Sequence, residues 1–225
     1  MKRKDAREIH SLRPLEFIPN FTQHAEGSCL VKMGKTWVLT TASIEEKVPP
    51  FLEGKKKGWI TAEYSMLPRS THTRSRREVT AGKASGRTQE IQRLIGRSLR
   101  ACIDLKKLGE RTIIVDCDVL QADGGTRTAS INGAFVSLSL AIQTLLNKKT
   151  LSESPIVKPL SAISVGIKSE NILVDLDYGE DSNCDVDMNI VMLGKDQFVE
   201  IQGTGEQETF SLQQTLAMLE AAKGA

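Results

Sequence analysis

With 225 residues, 40% of them hydrophobic and 26% charged, the chain has the composition of a soluble globular protein, enough for one large domain or two small ones with a sizeable core. No apolar run approaches the roughly 18 residues that mark a membrane span, and residues 1–13 lack the apolar stretch of a signal peptide, so a cytoplasmic protein with no membrane partner is the expectation. The formal net charge of +2 hides a local excess: from Arg69 to Arg100 stand nine basic residues (Arg69, Arg74, Arg76, Arg77, Lys83, Arg87, Arg93, Arg97, Arg100) against Glu78 and Glu90 alone. With Lys55, Lys56 and Lys57 just upstream, this favours a polyanion or phosphorylated partner over an acidic small molecule.

In chain order, residues 1–14 are polar and basic and read as a loosely held arm. Strands are expected at 26–31 and 35–41 about a tight Met33-Gly34-Lys35 turn, where Val, Leu, Thr and Trp37 supply β-prone side chains. Residues 45–57, with Val48-Pro49-Pro50 and the lysine triplet, read as an exposed loop. A strand over 58–67 leads into the irregular basic segment 68–86. Ile91, Leu94, Ile95, Leu99, Cys102, Ile103 and Leu105 recur at helical spacing and predict a helix over 88–108, stopped by Gly109.

Residues 111–122 alternate Ile113, Val115, Cys117 and Val119 with Asp116 and Asp118, the pattern of a strand with two unlike faces. A second long helix is expected over 128–147, on Ile131, Ala134, Phe135, Leu138, Ile142 and Leu145. After a polar linker at 148–159, strands are expected at 161–167, 172–177, 187–193 and 197–202, the last two joined through Gly194-Lys195-Asp196. Ser211 caps a terminal helix that uses Leu212, Leu216 and Leu219 and ends at Gly224. The sum is an α+β fold with mostly antiparallel sheet, two long helices and a C-terminal helix. We read it as a single domain over 1–225, with a core at about 15–150 and a C-terminal region at about 160–225; its halves share a strands-then-helix order consistent with a duplication.

Cys29, Cys102, Cys117 and Cys184 are widely spaced and lack any Cys-x-x-Cys pairing, which fits buried free thiols rather than zinc or disulfides. His10, His24 and His72 form no ligand cluster. Three groups carry chemistry instead. Gly124-Gly125-Thr126-Arg127 ends a strand and opens a helix, a place where backbone amides, helix dipole and a guanidinium point at one anion. Gly86-Arg87-Thr88 repeats that chemistry at the first long helix, and two such arginines can grip one phosphate from two sides. The alternative for Arg87 is a cap or a pair with Glu90, and the pattern alone does not choose. The third group is the acidic run Glu180-Asp181-Ser182-Asn183-Cys184-Asp185-Val186-Asp187. If it is extended, Asp181 and Asp187 share a face, where mutual repulsion is relieved by Mg²⁺ or a shared proton. Its alternative is an exposed acidic loop.

These residues stand in longer motifs: residues 58–64 (Gly-Trp-Ile-Thr-Ala-Glu-Tyr) with Met66-Leu67-Pro68-Arg69, residues 86–95 from Gly86-Arg87-Thr88 to Ile95, residues 116–129 from Asp116-Cys117-Asp118 through Gly125-Thr126-Arg127 to Ala129, and Glu180-Asp181-Ser182 with Asp187-Met188-Asn189. Four motifs in this order, spanning nearly the whole chain, resemble the bacterial ribonuclease PH family. Asp5-Ala6-Arg7 stands where the family usually has Asp-Gly-Arg, which bears on the conformation of the arm, and residues 204–209 diverge. The resemblance implies a ribosomal protein S5 domain 2-like RNase PH fold and a phosphorolytic 3′-to-5′ exoribonuclease that trims tRNA precursors, with inorganic phosphate as co-substrate and nucleoside diphosphates as products. It assigns phosphate to Arg87, Gly125, Thr126 and Arg127, and a divalent metal, Mg²⁺, or acid chemistry to Asp181 and Asp187, without deciding whether Asp187 is ligand or proton donor. It also implies a homohexamer, a trimer of dimers, with Arg69, Arg74, Arg76 and Arg77 at a subunit junction and near incoming RNA. Two other functions stay open at this point: an inert ring subunit that only binds RNA, and a phosphate-using enzyme with a small substrate.

Overall fold

The computed structural model describes residues 3–225. A five-stranded sheet is built from β1 (Leu15–Pro19), β2 (Gly27–Met33), β3 (Thr36–Glu45), β4 (Trp59–Met66) and β5 (Thr112–Gln121), in the spatial order β1-β2-β3-β5-β4. All its pairs are antiparallel except β4 with β5. A parallel pair needs a crossover connection, and α1 (Gly86–Ala101) with the short α2 (Leu105–Leu108) supplies it.

The single helix expected over 88–108 is therefore two. Asp104 accepts hydrogen bonds from the amides of Lys106 and Lys107 at 2.9 and 3.3 Å and starts α2 afresh. Ile103, just before it, leaves the helix to form a bridge with Ile156. A local side-chain cap and a tertiary bridge here override an unbroken apolar period.

Helix α3 (Thr126–Asn147) is central. It packs against β2 and β3 on one side and against β6 (Leu160–Lys168) on the other. One continuous core runs through it, joining Val31, Ile113 and Leu138 to Leu160, Ala162 and Val191 of the second sheet. Leu138 is fully buried, and its truncation to Ala is worth about 2–5 kcal/mol. By length and apolarity alone α3 passes for a membrane span, with a mean hydropathy of 1.4 in its most apolar window. Three of its polar residues, Thr128, Ser130 and Ser137, are buried within the fold, and Gln143 and Asn147 are exposed, as in the core helix of a globular protein.

The second sheet is antiparallel throughout, in the order β7-β6-β8-β9. Its other strands are β7 (Asn171–Val174), β8 (Val186–Leu193) and β9 (Gln197–Gly205); α4 (Tyr178–Asp181) lies between β7 and β8, and α5 (Leu212–Lys223) follows β9. Of the three leucines expected to carry the last helix, Leu219 packs against the second core and the other two do not. Met218 and Ala222 are buried, whereas Leu212 and Leu216 are 68% and 54% exposed.

Residues 3–14 of the arm are not loose, and residues 1 and 2 lie outside the described residues. Arg3 and Arg13 are each 4% exposed, and Arg3, Arg7 and Arg13 all reach carboxylates or carbonyls of the second half. Composition misleads here because these cations meet buried anions that lie about 170 residues away in sequence. All four cysteines are buried free thiols; burial pushes Cys29 and Cys184 up to about 11 and Cys102 up to about 12, which leaves them protonated and inert.

Candidate active site

Strand β5 delivers the chain to the turn before α3. Gly124 and Gly125 both take left-handed backbone, with φ of +75° and +66°. A Cβ on Gly124 would sit 2.6 Å from the carbonyl carbon of Asp177, so glycine is required for the turn to lie against the start of α4. Thr36, fully buried, pins the turn twice: its hydroxyl donates to the carbonyl of Gly124 at 2.6 Å and accepts from the amide of Asp123 at 2.9 Å. Gly125 is the N-cap of α3 and offers no side-chain cap, and the first amides of a helix have no intrahelical acceptor, which suits them to an anion.

Arg127 leaves the first turn of α3 with its side chain 25% exposed. One terminal nitrogen, Nη2, donates to Glu90 at 2.9 Å. Its Nε is buried with no hydrogen-bond partner among the described residues. Arg87 stands on the first turn of α1, which Ser85 caps by accepting from the amide of Thr88 at 3.1 Å. Sequence pattern left Glu90 as a possible partner of Arg87; its hydrogen-bonded partner is Arg127. Partial burial raises the Glu90 carboxyl, but hydrogen bonds from Gln202 and Arg127 and the charge of Arg87 outweigh it and hold Glu90 below the usual range.

Asp181 and Asp187 come together by a different route from the expected one. The segment is not extended: Asp181 ends α4, a turn containing buried Cys184 follows, and Asp187 lies near the start of β8. Glu180 and Asp185, the other carboxylates of the run, turn elsewhere. Glu180 is bound by Arg3, and Asp185 accepts from the amide of Ser169 at 2.9 Å. Asp187 is pushed above its usual range first by burial, then by Asp181 and by Glu206. Asp181 is also raised, by the crowding of protein around it, although Arg127 and Arg87 pull the other way. Its side chain still reaches solvent.

Arg87, Glu90, Arg127, Asp181 and Asp187 line one cleft of about 950 Å³, closed on its far side by Asn189, Gln202 and Glu206. Gly125 and Thr126 precede Arg127 in the turn and are not among the residues that line the cleft. The Thr126 hydroxyl accepts from Tyr64 at 3.1 Å and is turned into the core, so what Thr126 can offer a ligand is its amide. The sequence reading missed Glu90 as the tether of Arg127, and Gln202 and Glu206 altogether. The last two were legible from the β8–β9 hairpin: a turn at Gly194 sets Asn189 opposite Gln202 and Val186 opposite Gly205, which carries Glu206 to the edge where Asp187 begins.

The carboxylates fit a divalent cation. Oδ1 of Asp187 is buried without a hydrogen-bond partner among the described residues, and the charge of Asp181 opposes ionisation of Asp187. No group of three or more His, Cys, Asp or Glu side chains is gathered to chelate a metal among the described residues. A cation held here must complete its shell with water or substrate oxygens, the habit of Mg²⁺.

Arg69, Arg74, Arg76 and Arg77 are all exposed. Arg76 and Arg77, with Lys83, line a second cleft of about 600 Å³ that shares Arg87 with the first. The two clefts meet at Arg87, which brings the basic side chains of the irregular segment next to the first cleft. Arg69 and Arg74 lie outside both clefts.

Comparison with known proteins agrees with this architecture. Residues 11–142 match domain 1 of the 3′ exoribonuclease family, and residues 158–225 match its domain 2. Ribonuclease PH of Neisseria meningitidis serogroup C is 59% identical over 207 residues, covering 92% of this chain and 86% of that one. Ribonuclease PH of Bacillus subtilis is 57% identical over 222 residues, covering 98% of this chain and 91% of that one. The fold is shared with the Archaeoglobus fulgidus exosome with RNA bound to the active site (TM-score 0.82, 24% identity, covering 99% of this chain and 89% of that one). It is also shared with rice Rrp46 (TM-score 0.79, 19% identity, covering 99% and 93%). Two domains matched in order and close relatives along nearly the whole chain place this protein in the 3′ exoribonuclease family, as a ribonuclease PH-type member.

Proposed function

We propose that this protein is a phosphorolytic 3′-to-5′ exoribonuclease that trims the 3′ ends of tRNA precursors in the cytoplasm, with inorganic phosphate as nucleophile. The observation that carries the reading is that two cationic side chains from α1 and α3 and two carboxylates from α4 and β8 face one polar cleft. That arrangement suits holding two mutually repelling anions side by side.

Phosphate is already an anionic nucleophile, so the chain need not supply a strong base. Arg87, Arg127 and the open amides at the start of α3 neutralise it and set its direction. An oxygen of the bound phosphate bonds to the phosphorus of the terminal nucleotide, and the bond from that phosphorus to the 3′-oxygen of the preceding nucleotide breaks. The terminal nucleotide leaves as a nucleoside diphosphate, and the shortened RNA keeps its 3′-oxygen, which takes up a proton. Asp181 and Asp187 are the residues that would hold Mg²⁺, which when bound supplies positive charge to the phosphate oxygens and the leaving 3′-oxygen. Asp187, with its carboxyl raised, is also suited to pass a proton to that oxygen. A phosphodiester is exchanged for a phosphoanhydride, so abundant diphosphates drive the reaction backwards and add nucleotides.

We further infer that the protein acts as a homohexamer, a trimer of dimers, with Arg69, Arg74, Arg76 and Arg77 at the subunit junction and along the RNA path. One chain offers a short basic track, and a closed ring repeats it. The test is to incubate the protein with a tRNA bearing extra 3′ nucleotides. Shortening only when phosphate is present, with diphosphate products, is expected; monophosphates formed without phosphate would make it a hydrolase.

A further inference from the structure

We propose that Arg13 is a positioning residue for this reaction and that residues 3–13 clamp the phosphate turn against the carboxylate pair. The inference rests on the phosphorolytic reading and adds to it a part of the chain that touches neither anion.

Arg13 is hydrogen-bonded to both halves of the site. On one side its guanidinium forks onto Asp175, Nε to Oδ2 at 3.0 Å and Nη2 to Oδ1 at 2.7 Å, while its own amide donates to Oδ2 at 2.7 Å. On the other side Nη1 donates to the carbonyl of Asp123 at 2.7 Å, within the glycine turn that precedes Arg127. Asp175 is buried and takes a left-handed φ of 58°, a conformation a non-glycine residue keeps only where its surroundings impose it. Two residues on, Asp177 caps α4 through a capping box with Glu180, and Asp181 follows in the same turn. Glu180 is itself seized by Arg3, from Nε at 2.7 Å and from Nη2 at 2.5 Å, and Arg3 also donates to the carbonyls of Val174 and Asp175 at 2.7 and 2.9 Å. Arg7 adds a bond to the carbonyl of Asp175 at 3.1 Å.

Three arginines from one short arm thus fix the β7–α4 turn, and one of them also fixes the phosphate turn. The two turns have no slack between them, since the Gly124 backbone already lies against Asp177 and Tyr178. Stability alone is a poor reason for such an arrangement, because buried ion pairs contribute little more than apolar residues of similar volume. What a forked guanidinium supplies is direction. In-line attack depends on the distance between the phosphate held at α3 and the phosphodiester held at the carboxylates, and small misplacements there cost rate steeply.

The experiment is phosphorolysis by the full chain and its Arg13→Lys and Arg13→Gln variants, with phosphate concentration varied and thermal unfolding recorded in parallel. Lysine keeps the charge but cannot fork onto Asp175 and reach Asp123 together. The expected result is a folded Arg13→Lys protein whose kcat falls and whose KM for phosphate rises, each about tenfold or more, with RNA affinity in the absence of phosphate unchanged. A lowered unfolding temperature with both constants intact would reduce Arg13 to a structural tie and overturn the proposal. On the unaltered protein, inorganic phosphate should slow amide exchange in residues 3–13 and 175–181 as well as in 123–129, a readout that needs no variant to fold. Slowing confined to 123–129 would contradict the coupling. An unaltered protein that shortens RNA without phosphate sinks the reaction reading, and this proposal with it; a phosphorolytic protein with an indifferent Arg13 sinks the proposal alone.

Discussion

Glu90 accepts a hydrogen bond from Nη2 of Arg127 at 2.9 Å, across the gap between α1 and the start of α3. A second bond, from Gln202 of β9 at 3.1 Å, fixes the carboxylate in turn. One terminal nitrogen of Arg127 is thereby committed to orientation, while its Nε stays buried without a protein partner. An anion entering the cleft meets a guanidinium that is already aimed.

Arg127→Ala should therefore raise the phosphate concentration needed for half-maximal rate by about a hundredfold or more, with little loss of RNA affinity. Phosphate titrations of the trimming rate, set beside filter binding of RNA, check it. Equal loss of both would show that the anion held by Arg127 is the RNA backbone.

Asp187 is expected to trade stability for function. Its carboxyl lies above the unfolded value of 3.8 because burial, Asp181 and Glu206 all oppose its ionisation. A raised acid binds more protons folded than unfolded, so its contribution to stability falls as pH rises from 3.8 through the folded value. Asp187→Asn removes that penalty. The variant should lose activity by about a hundredfold or more, still bind RNA, and unfold at a higher temperature than the parent at pH 7. The gain should shrink in acid, and added Mg²⁺ should stabilise the parent more than the variant. A variant that trims normally would make the aspartate a solvated loop residue.

The basic segment gives an assembly prediction. Replacing Arg69 and Arg76 together with Gln should yield dimers in sedimentation velocity, with slower trimming and a weaker salt dependence of RNA binding. An unchanged hexamer would remove these arginines from the junction.

Ala6 takes a φ of 63°, in the region where a Cβ costs about 1–2 kcal/mol. Glycine is the residue that the family resemblance leads one to expect there. Ala6→Gly should stabilise the protein by about 1 kcal/mol, read as the denaturant midpoint. No change would show that the arm relaxes this backbone at no cost.

Most strands and α3 were legible because their apolar periods agree with the packing that follows. Val115, Cys117 and Val119 alternate as a strand with one buried face should, and they are buried. The tight turn before α3 was legible from Gly124 and Gly125, since the left-handed backbone there leaves glycine as the ready choice. What the sequence concealed depends on partners far away along the chain. Arg3 and Arg13 look like solvated charge until Glu180 and Asp175 are brought to them. The break at Ile103 arises from Ile156, and Asp181 meets Asp187 through a helix and a turn that the acidic run does not announce. Leu212 and Leu216 misled for the opposite reason: they are apolar and helical but point away from the core.

An anion held by Arg87 and Arg127 as a reactant must reappear in the product. The most direct measurement is trimming of a tRNA with extra 3′ nucleotides in the presence of isotopically labelled inorganic phosphate, followed by analysis of the released nucleotides. Nucleoside diphosphates that carry the label in the β-phosphate, formed in proportion to the nucleotides removed, are the expected products. Unlabelled nucleoside monophosphates, released at the same rate whether or not phosphate is added, would contradict the reactant role.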